Sequence, residues 1–165
     1  MLTDGIKFKN FKHSKKINIS KKFISSINEN EIIKSLTKSY KYSYKKKIIK
    51  KFNKFSNFRV IGMGGSSLGA QAIYDFLRHK IKKKFDFVSN LQPSFKENKK
   101  KYINLVISKS GNTTETIVNS NILIKKKDKN IFITENKKSY LLDLAIKLKS
   151  DIIDHNNYIG GRYSV

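Results

Sequence analysis

Ile103-Asn104-Leu105-Val106-Ile107, running straight into Ser108-Lys109-Ser110-Gly111-Asn112-Thr113-Thr114-Glu115-Thr116, is the stretch that decides how this chain folds. The first five residues are a short apolar run, too brief for a helix and rich in β-branched side chains, so they read as a buried strand. The next nine residues carry five hydroxyl side chains, a lysine and a glycine. They open onto a segment, Thr113 to Lys126, whose pattern predicts a helix. A strand that delivers a polar, glycine-containing loop to a helix start is one half of a parallel βαβ unit.

The same alternation extends in both directions. Upstream, Val60 to Met63 reads as a buried strand, Ser66 to His79 as a helix and Phe85 to Ser89 as a strand. Downstream come a strand at Ile131 to Thr134, a helix at Leu141 to Lys149 and a last short strand at Ile152 to Asp154, with a weak helix at Phe95 to Lys101 between the second and third strands. Strands that are apolar throughout, rather than at alternate positions, belong to sheets covered on both faces. The pattern predicts an α/β fold: a three-layer α/β/α domain over residues 58–165 with a parallel sheet of about five strands. Ahead of it, from Glu29 to Phe52, the side chains Ile33, Leu36, Tyr40, Tyr44, Ile48 and Phe52 recur at threes and fours, which predicts one long helix. Residues 1–57 are therefore read as an N-terminal arm followed by a helical extension.

Composition excludes several classes. The chain has 165 residues, no cysteine and a formal net charge of +24. Without cysteine there is no disulfide framework, zinc ribbon or thiolate chemistry, which favours a reducing, cytoplasmic setting. No apolar run approaches the ~18 residues of a membrane span, and the N-terminus has no apolar signal core, so no membrane partner is expected. The charge is mostly lysine; Arg59, Arg78 and Arg162 are the arginines. Base readout and bidentate phosphate clamping favour the guanidinium fork, and the lysine runs are spread along the chain, so no specific nucleic-acid partner is expected. Abundant Ile and Asn alongside Lys point to a codon bias as the source of the charge.

In open parallel sheets ligands bind beyond the carboxyl ends of the strands. The first strand ends in Gly62-Met63-Gly64-Gly65-Ser66-Ser67-Leu68-Gly69. Such a loop lets the backbone approach an anion at a helix start, and would serve equally as a plain tight turn. It is neither a Walker A loop nor a dinucleotide fingerprint, since Ser67 stands where the third glycine belongs. Asp86, at the distance of a ribose-binding acid, is placed at the start of its strand, away from the ligand end. The hydroxyl loop at Ser108 to Thr116 is more telling: an N-cap by Asn112 or Thr113 needs one polar side chain, whereas five hydroxyls make a donor cradle for a phosphomonoester.

Together the two loops resemble the sugar isomerase (SIS) domain family, whose phosphate loop reads Ser-x-Ser/Thr-Gly-x-Thr-x-Glu/Asp-Thr and is matched at Ser108, Ser110, Gly111, Thr113, Glu115 and Thr116. The glycine loop and the terminal Gly160-Gly161-Arg162-Tyr163-Ser164-Val165 are similar to the branch that interconverts glucose 6-phosphate and fructose 6-phosphate. The resemblance implies a SIS-type sugar-phosphate-binding domain with Ser108, Lys109, Ser110 and Thr113 at the substrate phosphate, Lys109 more through backbone and charge than through a fixed contact. It implies Gly65 and Ser66 at the sugar, and Arg162 as the catalytic cation beside a developing enediolate. It implies no metal or organic cofactor, and a homodimer in the full-length protein.

The family's base glutamate, with its histidine and lysine, lies beyond the Gly-Gly-Arg motif. Here Glu115 falls on the phosphate motif, Glu29, Glu31, Glu97 and Glu135 sit in polar, surface-like contexts, and His13, His79 and His155 are expected to face solvent. The expectation is an N-terminal part of an isomerase, inactive alone. Alternatives are a bifunctional phosphoglucose/phosphomannose isomerase, or a non-catalytic sugar-phosphate sensor domain of a regulator.

Overall fold

The computed structural model describes residues 30–35, 38–91 and 100–160. The chain divides into two compact units, residues 1–40 and 41–165. In the first unit a helical turn, α1, spans Glu31–Lys34. Its start is capped by Asn30, whose side-chain oxygen accepts the N–H of Ile32 at 2.9 Å. Glu31 in its first turn and Lys34 in its last suit the helix dipole.

The second unit contains α2 (Lys46–Phe52), β1 (Asn57–Gly62), a 3-10 turn (Gly64–Ser66), α3 (Leu68–Leu77), β2 (Lys84–Val88), β3 (Ile103–Ile107), α4 (Thr114–Leu123), β4 (Lys129–Thr134), α5 (Tyr140–Lys147) and β5 (Asp151–Asp154). The five strands form one sheet in the order β2-β1-β3-β4-β5. All four pairings are parallel. The predicted α/β class and strand number are as observed.

Continuous apolarity in the strands has the anticipated cause. On one face Ile61, Val106 and Phe132 are fully buried against Leu141 and Ala145 of α5, with Ile117 and Leu123 of α4 alongside. On the other, Phe58, Ile103 and Ile131 close over Phe52 of α2. Phe58 stacks on Phe85 at 5.1 Å, and Tyr74 attaches α3 to the same face through Phe85 and Phe87. Helices thus lie on both sides of the sheet.

The stripe from Glu29 to Phe52 does not form the single long helix it predicts. Helix is present at Glu31–Lys34 and again at Lys46–Phe52, while residues 41–45 are not helical. The intervening Tyr42-Ser43-Tyr44 explains this: serine and tyrosine are indifferent helix formers, and Lys41 and Lys45 would repel at i, i+4. Tyr42 and Tyr44 instead stack on each other at 5.3 Å, two residues apart. The weak helix predicted at 95–101 falls mostly outside the described residues; Lys100 and Lys101 are not helical.

A polar row crosses the sheet in register, Asp86 on β2 beside Arg59 on β1, then Asn104 on β3 and Asn130 on β4. The buried Asn104 side-chain amide donates to the Asn130 side-chain oxygen at 2.9 Å. Tyr102 lies over the Arg59 guanidinium at 4.3 Å and donates its hydroxyl to the Asp86 carboxylate at 2.5 Å. Asp86 is thus at the middle of its strand rather than its start, and is engaged in holding register. A one-residue slip would bury these polar groups against apolar ones, so the row specifies pairing as well as joining strands.

Two outcomes follow from this packing. Phe132 is fully buried at the sheet centre, so Phe132→Ala should cost about 3–5 kcal/mol in urea unfolding; a loss under about 1 kcal/mol would contradict the core described. Burial, then the Asp86 hydrogen bond and charge, raise the Tyr102 phenol above its ordinary value of 10.0, with Arg59 opposing. The folded chain then holds that proton more tightly than the unfolded one, so this contribution is intact below about pH 10 and lost as pH rises further. The urea midpoint should fall less between about pH 9 and about pH 11 in Tyr102→Phe than in the parent, and an equal fall would refute the assignment.

Candidate functional site at the β1 and β3 carboxyl ends

The strand order reverses between β1 and β3, because β2 lies to one side of β1 and all later strands to the other. That switch point is where parallel α/β sheets open a crevice for ligands. Gly62 ends β1 directly beside Ile107 at the end of β3. A Cβ on Gly62 would stand 2.9 Å from the Ile107 carbonyl oxygen, so the two strand ends approach closely only because residue 62 has no side chain.

Beyond Gly62 the chain turns sharply. Gly64 takes a left-handed φ of 56° in open space, and Gly64–Ser66 form the 3-10 turn that leads into α3. The Ser66 N–H donates to the Met63 carbonyl at 3.2 Å and the Ser67 N–H to the Gly64 carbonyl at 3.1 Å. Ser67 is fully buried, while Gly65 and Ser66 are half-buried.

The β3 loop is built differently. The Ser108 N–H continues the sheet to the Ile133 carbonyl at 3.1 Å, and the Gly111 N–H closes a turn onto the Ser108 carbonyl at 3.2 Å. Gly111 has φ 67° and sits so close to the β4 loop that a Cβ would lie 2.2 Å from the Ser139 hydroxyl oxygen. The Ser108 and Thr113 hydroxyls are 3.0 Å apart. Ser110 is exposed, and its hydroxyl oxygen accepts the Asn112 N–H at 3.2 Å.

Neither residue expected to cap α4 does so. Thr113 precedes the helix in extended conformation without a side-chain cap bond. Asn112 turns away, its side-chain oxygen accepting the Tyr140 N–H at the start of α5 at 3.0 Å. The first-turn N–H groups of α4 therefore have no side-chain cap from Thr113, and Ser108, Ser110 and Thr113 precede them in the loop. This arrangement can present several donors to one anion, at the positive end of a ten-residue helix.

Lys109 points elsewhere. Its ammonium donates to the Asn157 carbonyl at 2.6 Å and lies 3.5 Å from the Glu135 carboxylate. Glu135 is accordingly half-buried and paired, not the free surface acid its polar context suggests. His155 also departs from expectation: it is only 9% exposed, its N–H donating to the Thr134 carbonyl at 2.9 Å and its Nδ1 lying 3.0 Å from the Asn156 carbonyl. It is the first residue after β5, so the sheet end covers it although Asp154 and Asn156 flank it. His79 is exposed as expected. Arg162, with the rest of 161–165, and His13, Glu29 and Glu97 lie outside the described residues.

The structure thus brings Gly65, Ser66, Ser108, Ser110 and Thr113 to neighbouring strand ends. A separate groove of about 640 Å³ along β2 and α3, walled by Gln71, Tyr74, Arg78 and Phe87, includes neither loop. Among the described residues no group of three or more His, Asp or Glu is disposed to hold a metal ion, and no helix is long and apolar enough to cross a membrane.

The phosphoglucose isomerase family model matches residues 29–165. The chain belongs to that family. A glucose-6-phosphate isomerase of Borrelia garinii subsp. bavariensis is 32% identical over 203 residues, covering 96% of this chain. The chain spans 38% of that relative's length. Two solved structures share the fold. A hypothetical protein of Thermus thermophilus aligns with TM-score 0.56 and 20% identity, over 70% of this chain and 31% of its own. The Vibrio vulnificus NanR protein, complexed with ManNAc-6P, aligns with TM-score 0.50 and 16% identity, over 72% of this chain and 44% of its own. The glycine loop and the hydroxyl loop both lie within the matched residues.

The two left-handed glycines in the isomerase loops separate strain from crowding. Gly64→Ala, with open space around it, should cost about 1 kcal/mol from backbone strain alone. Gly111→Ala must also displace Ser139 and should cost at least about 2 kcal/mol more. Equal losses in urea unfolding would mean that Gly111 is not packed as described.

Proposed function

We propose that the β1 and β3 loops bind a hexose 6-phosphate, and that residues 58–165 form the sugar-phosphate-binding domain of a glucose-6-phosphate isomerase. The observation that carries this reading is the helix start of α4, preceded by a hydroxyl-rich loop yet left without a side-chain cap. Membership of the phosphoglucose isomerase family supplies the substrate class. The NanR neighbour, which binds ManNAc-6P, supports a sugar phosphate on this fold.

In this reading Ser110 and Thr113 donate their hydroxyls to the phosphate together with α4 N–H groups. Buried Ser108 orients Thr113 through their shared hydrogen bond. Gly65 and Ser66 face the sugar. Interconversion of glucose 6-phosphate and fructose 6-phosphate moves one proton between C1 and C2 through a cis-enediol, which requires an acid/base and stabilisation of a developing oxyanion but no redox group. Arg162 is assigned the second task, where a permanent planar cation suits an enediolate. In this reading the two loops hold the substrate without themselves supplying the acid/base that moves the proton, and the isomerase acts as a homodimer. A second reading, a sugar-phosphate sensor, is favoured only by the likeness to NanR.

Calorimetric titration with fructose 6-phosphate against fructose tests the site. Binding should require the phosphate, and Ser110→Ala and Thr113→Ala should each weaken it about 10-fold or more, as expected for a lost hydrogen bond to a charged group. Equal affinity for the two sugars, or no effect of either substitution, would sink the proposal.

A further inference from the structure

We propose that Lys109 is a positioning residue that ties the loop after β5 to the phosphate loop, and that its ammonium is not a phosphate ligand. The inference deepens the sugar-phosphate reading and rests on it for its purpose, though not for its geometry.

A lysine in the middle of a hydroxyl-rich loop is the obvious cation for a phosphate, but both ends of Lys109 are committed to other partners. Its main-chain carbonyl accepts the Glu135 N–H at 3.0 Å and the Thr134 hydroxyl at 3.3 Å, which fixes the root of the side chain against the end of β4. Its ammonium then reaches the Asn157 carbonyl at 2.6 Å, with the Glu135 carboxylate 3.5 Å away. Swinging the ammonium to an anion over Ser110 would leave the half-buried Glu135 carboxylate without its cation and the Asn157 carbonyl without this donor, both unfavourable.

One residue therefore joins the ends of β3, β4 and β5. Asn157 lies in the short turn, closed by the Ile159 N–H on the Asn156 carbonyl at 3.2 Å, that leads to Gly160 and so in sequence to Arg162. An anion that stiffens Ser108 to Gly111 would stiffen this turn through the lysine stem. Occupancy of the phosphate subsite would thereby set the order of the turn at 156–159. Coupling of this kind is measurable as a difference of differences.

The test is amide hydrogen exchange by NMR on the 165-residue chain, with inorganic phosphate as the probe, in the parent, Lys109→Met and Lys109→Arg. Phosphate should slow exchange at Asn157, Tyr158 and Ile159 at least about 3-fold in the parent. Lys109→Met should speed exchange there without phosphate, abolish the effect of phosphate, and leave phosphate affinity within about 3-fold; Lys109→Arg, which can reach both partners, should restore the coupling. A loss of affinity of about 10-fold or more in Lys109→Met, with exchange at 157–159 unchanged, would make Lys109 a phosphate ligand and overturn the proposal. If the parent binds no phosphate, the sugar-phosphate reading falls separately, and the anchor is decided by the unliganded comparison: unchanged exchange in Lys109→Met overturns it, faster exchange upholds it.

Discussion

The close approach of β1 and β3 at their carboxyl ends is the constraint on which the site depends. Gly62 stands against the Ile107 carbonyl at a distance that no side chain would permit. A pair of strand ends held this closely delivers the next residues of both, Met63 to Ser66 and Ser108 to Thr113, to one crevice. Were the strands splayed by a methyl group, the glycine turn and the hydroxyl loop would each still form locally but would no longer start side by side. The polar row at Asp86, Arg59, Asn104 and Asn130 works towards the same end, because a fixed register across four strands makes those loop starts coincide.

The hydroxyl loop shows how a local rule is set aside in favour of a site. A helix start ordinarily takes its first N–H groups into a side-chain cap, worth about 1 kcal/mol. Here the two candidate caps are used in other ways: Asn112 holds the start of α5, and Thr113 pairs with Ser108. Foregoing the cap leaves donors aimed at the crevice, and the stability is recovered from the α5 contact and from Gly111 packed against Ser139. Places where local preference is overridden while the surroundings are over-determined are where function is to be sought.

Most of the architecture was legible because it rests on patterns that one sequence carries. The apolar run at Ile103 to Ile107 is a strand at those residues, and its loop chemistry was readable from residue types alone. What was not legible was decided by tertiary context. α4 buries Thr116, Asn119 and Ser120 beside Ile117 and Leu123 and exposes Ile122, a mixed face that periodicity does not foretell, and Asn119 donates to the Asn90 carbonyl beyond β2 at 3.2 Å. His155 and Glu135 looked solvated from their neighbours in sequence, yet their surroundings are set by neighbours across the sheet. Tyr44 fitted a helical stripe, but periodicity cannot register that Tyr42, Ser43 and Tyr44 are indifferent helix formers, and Tyr42 and Tyr44 stack on each other instead.

The distribution of charge gives the Lys109 contact its meaning. With 36 Lys and Arg against 12 Asp and Glu, most lysines have no acid to meet. Around the aromatic cluster at the amino ends of the strands they turn instead to ring faces and carbonyls. Lys54 and Lys129 lie over Phe55 at 5.7 and 5.0 Å, and Lys83 lies over Phe58 at 5.6 Å while donating to the Phe55 carbonyl at 2.7 Å. Such contacts let long side chains cover apolar surface with the charge still near water. They give part of the excess charge a local use. In a chain so short of acids, a carboxylate held beside one particular lysine is a restricted resource, and Glu135 is set beside Lys109 at the carboxyl edge of the sheet. Its effect is to offset positive charge beside the hydroxyl loop and direct that ammonium to the β5 loop, so that the loop itself presents neutral hydroxyls and helix N–H groups. Neutral donors of fixed direction discriminate the geometry of a phosphate, whereas a free ammonium on a flexible stem would attract any anion.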